Sequence, residues 1–200
     1  MSLLKIIRYG HPLLREKSHD LKGVGSRERE LIAAMAETMY AARGVGLAAP
    51  QVGLLERLFV IDVDQCEEDN RGQRRIENRR LRVFINPEIT AESEEDEPFT
   101  EGCLSIPGLE GEVYRPSRIR IAARDENFEP FEAELDGFLA RVFQHEHDHL
   151  NGVLFVDKLP MLKRSLVAGT LNRMKRETQE ELPSLPKEYP IVINGGGKEG

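Results

Sequence analysis

Cysteine is almost missing from this sequence: Cys66 and Cys103 are the two present in 200 residues. A small disulfide framework is thereby excluded, and in what looks like a cytosolic protein the thiols are expected to be free or metal-bound. Long apolar runs are missing too. The longest uncharged stretch, Gly44 to Leu55, contains Pro50 and Gln51 and falls short of the ~20 apolar residues a membrane span needs. The N-terminus has Lys5 and Arg8 inside its one apolar run, unlike the uninterrupted core of a signal peptide, and no room is expected there for an organelle transit segment. A basic excess is lacking: 28 Lys+Arg stand against 35 Asp+Glu, a formal charge of −7. That balance argues against DNA or any bulk phosphate backbone as a partner. There is no internal repeat. A cytoplasmic protein with no membrane association is the expectation.

What is present suits one globular domain. Hydrophobic residues make up 40% of the chain, and a chain of this length buries roughly 70% of its unfolded surface. Leu31, Met35, Met39 and Ala42 recur at helical spacing, so a helix is predicted over Ser26–Ala42, with Ser26 as N-cap and Gly44 as its stop. Short β-type runs follow at Leu58–Val63, Leu81–Ile85, Val113–Ala122 and Phe131–Leu135. Between the first two, Cys66–Arg80 reads as a solvated loop or hairpin tip. A second helix is predicted from Asp136 to Asn151, stopped by Gly152, and a third over Lys163–Glu181. Residues 183–200, rich in Pro and Gly, are expected to form a flexible tail behind a single domain, 1–182. The class predicted is α+β.

The chemistry concentrates in Gln144-His145-Glu146-His147-Asp148-His149. His145 and His149 lie four apart, so a helix projects both from one face toward a single ion. Glu146 is placed to reach a water on that ion. Phe138, Val142, His145 and His149 form one stripe, which describes a buried helix face ending in a metal site. A polar surface helix with clustered His is the bland alternative. The third-His position of a metzincin is Phe155, so that class is excluded. Cys103, in Glu101-Gly102-Cys103-Leu104-Ser105, is the remaining good ligand. Gly102 beside it permits close backbone approach.

Three separated segments give the sequence a resemblance to a known family, the peptide deformylases. Gly44-Val45-Gly46-Leu47-Ala48-Ala49-Pro50-Gln51, Glu101-Gly102-Cys103-Leu104-Ser105 and His145-Glu146-His147-Asp148-His149 match the family's motifs in order and spacing, over roughly Leu3 to Arg176. The resemblance implies short, mostly antiparallel strands around a central metal-binding helix. It implies hydrolysis of the N-formyl group from formyl-methionine of new polypeptides, with release of formate.

Residue by residue, the resemblance implies that Cys103, His145 and His149 hold one divalent ion with water in the open position. Fe(II) is expected, with Zn(II), Ni(II) or Co(II) able to use the same ligands. Glu146 resembles the general base and acid. Gln51, through its amide, and Leu104, through its backbone N–H, resemble the donors to the formyl oxygen. Val45, Gly46, Phe138, Arg141 and Val142 are placed against the substrate. Two departures stand out. Glu110 occupies a position where many bacterial members have a substrate-positioning Arg, so backbone contacts or another residue such as Arg115 would have to compensate. Arg141 stands where several members have an aliphatic residue. Either its methylene stem packs while the guanidinium reaches water, or the pocket has changed shape. Support for the two His rings is expected from Glu101 or Asp148. Lys163, Arg164, Arg173, Lys175 and Arg176 read as a solvated helix face, and the resemblance adds ribosome contact through that helix as an alternative. The competing classes are a zinc endopeptidase using the same helix and a catalytically dead binding module.

Overall fold

The computed structural model describes residues 3–64, 79–184, 189–190 and 192–193. Cys66 and most of the charged loop around it therefore lie outside the described residues.

The architecture is α+β, built outward from a strand with no polar face. β3 (Leu58–Ile61) is fully buried along its length, and its pleat sends alternate residues to opposite sides of the sheet. Leu58 and Val60 join Met35 and Met39 of helix α1 (Ser26–Ala41), while Phe59 and Ile61 join Ala140 and Phe143 of helix α2 (Gly137–Leu150). The sheet is thus sandwiched between the two helices. Its other strands are β2 (Gly46–Ala48), β4 (Arg82–Glu92), β7 (Arg118–Arg124) and β8 (Pro130–Asp136), in the order β2-β3-β4-β7-β8, every pair antiparallel. Phe143 wedges edge-on between Phe59 and Phe84, with ring centroids 5.1 and 5.0 Å away.

A separate hairpin, β5 (Asp96–Cys103) with β6 (Ile106–Pro116), carries Cys103 to the mouth of the sandwich. Its apolar residues Ile106, Leu109 and Val113 pack on Phe155, Leu159 and Leu171. Leu171 belongs to helix α3 (Met161–Glu181), which buries only a narrow stripe and leaves Met161, Leu162 and Leu166 exposed.

Several boundaries differ from those read in the sequence. Helix α1 starts with Ser26 inside it, because Glu28 reaches back to accept the Gly25 N–H at 2.7 Å. β4 runs on past Ile85 to Glu92: Asn86, with φ 49°, makes a bulge rather than a stop, and its Oδ1 accepts the Leu21 N–H at 2.9 Å. The run Val113–Ala122 is two strands, divided at Pro116-Ser117. β5 was not anticipated, since Asp96-Glu97-Pro98 lacks strand propensity and is held by its partner.

Gly152 stops α2 as expected, with φ +71°, and a Cβ there would lie 2.5 Å from the Arg15 carbonyl oxygen. The N-terminal segment also caps this helix end directly, as Ser18 N–H donates to Leu150 O at 2.9 Å. Of residues 183–200, β9 (Val192–Ile193) pairs antiparallel with β1 (Leu3–Leu4). The Tyr189 hydroxyl lies 2.7 Å from His11 Nε2.

Candidate metal centre and its cleft

Helix α2 delivers His145 and Glu146 to a cleft of about 420 Å³ that is also lined by Val45, Gly46, Gln51, Cys103, Leu104 and Glu110, and His149 lies buried one turn further along. The ligand atoms of Cys103, His145 and His149 all lie within 4.8 Å of one another. Cys103 Sγ is 3.3 Å from His149 Nε2. Two ligands bound tetrahedrally to one ion at about 2.1–2.3 Å would stand about 3.6 Å apart, so this spacing fits a shared ion. The donors, one sulfur and two imidazole nitrogens, suit a first-row divalent metal and leave a coordination position open. A larger hollow of about 630 Å³ between β1, α1 and the end of α3 includes His11, but no metal-ligating trio was found there among the described residues.

The polar groups behind the ligands are closely organised. Glu101 Oε2 meets His145 Nδ1 at 3.0 Å, which leaves Nε2 as the ring nitrogen available on the other side. The same carboxylate is gripped by Arg115, with Nε donating to Oε1 at 2.7 Å and Nη2 to Oε2 at 2.9 Å. Burial alone would raise Glu101, but the hydrogen bonds from Arg115 and His145 outweigh it and hold the carboxyl well below the usual range. Glu101 therefore stays ionised. Burial likewise works to lower His145, and the Cys103 and Glu101 hydrogen bonds reverse the direction. Burial, with the His145 charge beside it, lowers His149.

Glu146 differs from every other acid in the cleft. It is 4% exposed, and its Oε2 has no hydrogen-bond partner among the described residues. Burial pushes its carboxyl up to about 7, against the pull of His145 and Arg115. A buried carboxyl titrating near neutrality, beside a metal-type donor set, is equipped to take up and return a proton.

Residues 3–165 match the family described as polypeptide deformylase. The chain belongs to the peptide deformylase family. It is 43% identical to the peptide deformylase of Salinibacter ruber over 191 residues, covering 95% of this chain and 98% of that one. The Azotobacter vinelandii enzyme is 44% identical over 177 residues, with coverages of 88% and 99%. The crystal structure of Arabidopsis thaliana peptide deformylase 1B in complex with an inhibitor superposes with TM-score 0.79 at 37% identity, covering 92% of this chain and 96% of that one. Peptide deformylases are metal-dependent hydrolases that remove N-terminal formyl groups from new polypeptides.

Within this deformylase fold the site residues expected from sequence converge on one cleft, but three details are corrected. Arg141 does not send its guanidinium to water. It is 6% exposed, and Nη1 donates to Glu101 Oε1 and to Val113 O, both at 3.2 Å, while Nη2 donates to Glu97 O. Arg115 cannot stand in for a substrate-positioning Arg. It is 2% exposed and bound on one side by Glu101, on the other by Asp148 at 2.6 Å. Phe138 is not core: it is 38% exposed and leans on Phe99 at the cleft mouth, ring centroids 5.4 Å apart.

The structure also settles which acid supports a ring. Glu101 does so for His145, whereas Asp148 holds Arg115 and Lys158, and His149 Nδ1 has no hydrogen-bond partner among the described residues. Close approach falls at Gly46 rather than Gly102. A Cβ on Gly46 would lie 2.4 Å from Glu146 Oε1, whereas one on Gly102 would make an ordinary 3.5 Å contact. Gln51 Oε1 accepts the Ala48 N–H at 2.8 Å, which turns Nε2 toward Cys103 Sγ and toward Ser105 Oγ at 3.3 Å. Ser105, fully buried and aligned with that amide, was quoted within a motif but given no role. Phe99 had no sequence signal, standing alone in a polar strand.

Proposed function

We propose that this chain removes the formyl group from the N-terminal formyl-methionine of newly made polypeptides and releases formate, with Cys103, His145 and His149 holding an Fe(II) ion. Zn(II), Ni(II) or Co(II) would fit the same donors. When bound, the ion supplies Lewis acidity and lowers the pKa of water beside the substrate. Glu146 accepts the proton of the attacking water and delivers it to the departing amine. Gln51 Nε2 and the Leu104 N–H donate to the formyl oxygen as charge develops on it, each such donor contributing roughly 2.7–4 kcal/mol in comparable sites. Gly46 and Val45 bring the β2 backbone alongside the peptide, and Phe138, Arg141 and Val142 border the space for the methionine side chain.

The observation that carries this reading is the buried carboxylate of Glu146, whose Oε2 has no hydrogen-bond partner among the described residues, beside three metal-type donors. Residues 1–182 are taken as one catalytic domain acting in the cytoplasm. Contact with the ribosome through α3 would use Lys163, Arg164, Arg173, Lys175 and Arg176. Two of these already have partners in the chain, as Arg164 lies 3.8 Å from Asp157 and Arg173 3.9 Å from Glu177. Incubating formyl-Met-Ala-Ser with protein purified without oxygen, and assaying formate together with bound metal, tests the reading. Cleavage inside the peptide with no formate would make the protein an endopeptidase and overturn it.

A further inference from the structure

The charged groups lining the cleft sort themselves by partner. Glu101 and Arg141 are bound to each other, His145 rests on Glu101, and Arg43 has interactions of its own. Glu146 lies buried on the floor. Glu110 remains. Its side chain is exposed, it lines the cleft, and no hydrogen bond or ion pair to its carboxylate is found among the described residues.

The position of Glu110 in the hairpin fixes what it can meet. It pairs with Gly102, the residue before Cys103. Its Cγ lies 3.5 Å from where a Gly102 Cβ would be. A peptide whose formyl end lies beside Cys103 and Glu146, and which runs out along the β5–β6 wall, passes this rim. At about 3.3 Å per extended residue, the first or second residue after the methionine passes Glu110. The surroundings do not cancel its charge. From Glu92 to Val113 the hairpin region holds no Lys or Arg, and the one cation on the cleft wall besides the buried Arg141 is Arg43.

We infer that Glu110 is a specificity-determining residue that favours substrates carrying Lys or Arg at the first or second position after formyl-methionine and disfavours Asp or Glu there. This rests on the deformylase reading of the same cleft. An exposed ion pair at a rim contributes little, so the preference expected is about two- to five-fold per charge, expressed in KM rather than kcat because Glu110 does not touch the reacting atoms. It weakens as salt screens the pair.

The test compares formate release from formyl-Met-Lys-Ala-Ser, formyl-Met-Glu-Ala-Ser and neutral formyl-Met-Ala-Ala-Ser at low salt and at about 0.5 M salt, with a second set moving the charge one residue on. The Lys peptides should have the lower KM and the Glu peptides the higher, with kcat unchanged. Glu110→Gln should remove the difference between the charged peptides and Glu110→Arg should reverse it. Equal KM for all peptides, or a preference that survives Glu110→Gln, overturns the inference while leaving the deformylase reading intact. Absence of formate from every peptide with metal-loaded wild-type protein overturns both.

Discussion

Glu101 Oε2 lies 3.0 Å from His145 Nδ1 while its carboxylate is held from the other side by Arg115 and Arg141. One acid thereby orients the His145 ring and is shared by two buried guanidinium groups, of which Arg115 is also balanced by Asp148. Glu101→Gln should lower metal affinity by about 10–100-fold, the usual loss when the support of a ligand His is removed. It should also cost stability of about 3–5 kcal/mol, because buried Arg charges lose their counter-ion. Metal titration of the apoprotein and denaturant unfolding read the two effects; affinity that stays unchanged would mean the ring is held by its packing alone.

Glu146 and the proposed ligands should fail in different ways. Glu146→Gln keeps shape and metal, with about one ion per chain, yet kcat should fall by ~10²–10⁴ or more. His149→Ala should lose the ion and the activity together. Metal analysis beside formate release separates the two. Full metal with near-normal turnover in the Gln variant would assign the proton to another group.

Gly46→Ala tests the close approach on the other wall. The new methyl would occupy the position of Glu146 Oε1, 2.4 Å away, and must push that carboxylate aside. Turnover should fall by at least tenfold with metal content unchanged, because small misplacements of a reacting group are costly. A fully active variant would show that the carboxylate has room to retreat.

An Fe-loaded preparation should lose activity in air, and Ni or Co substitution should protect it. The cause is a thiolate on a redox-active ion, where oxygen species oxidise the sulfur. Equal activity of aerobic and anaerobic preparations with iron bound would contradict the Fe–thiolate assignment.

Asp157 gives a pH-dependent stability test away from the cleft. It accepts the Leu154 N–H at 2.9 Å and binds Arg15. Burial opposes ionisation, but the Arg15 and Leu154 hydrogen bonds outweigh it and lower the carboxyl below its ordinary value. With the folded value depressed, the stabilisation is present above the unfolded value and is lost as pH falls from about 4 downward. Asp157→Asn should cost about 0.5–1 kcal/mol at pH 7, with the two proteins converging in acid. A difference that persists unchanged at pH 3 would assign the effect to shape rather than charge.

The legible parts of this molecule are those whose signal is local. The His145/His149 spacing and the Asn151-Gly152 stop identify α2 because helix periodicity and a left-handed terminus are written in adjacent residues. β5 was invisible since Asp96-Glu97-Pro98 becomes a strand only through pairing with Tyr114, Arg115 and Pro116. The Arg141 guanidinium was misplaced for the same reason. Its preference for water is overridden by Glu101 and two main-chain carbonyls that the sequence gives no means of bringing beside it. Whether Glu101 or Asp148 supports the rings turns on the path of the hairpin over the helix, a tertiary fact.

The bond from Ser18 to Leu150 has a consequence for assembly. A helix's final turn is ordinarily its loosest part, yet here that turn carries His149, and its terminal carbonyl is closed by a segment from the beginning of the chain. Ser18 emerges early in synthesis but its partner carbonyl exists only once α2 has formed, whereas Leu4 and Ile7 can already meet Thr38 and Gln51. The turn that carries His149, one of the proposed ligands, is therefore closed only when the N-terminal segment has reached α2. Clipping the chain after Ser18 would remove this closure together with the buried Leu4, Ile7 and Leu14, so the α1 side of the core and the His149 turn would loosen together.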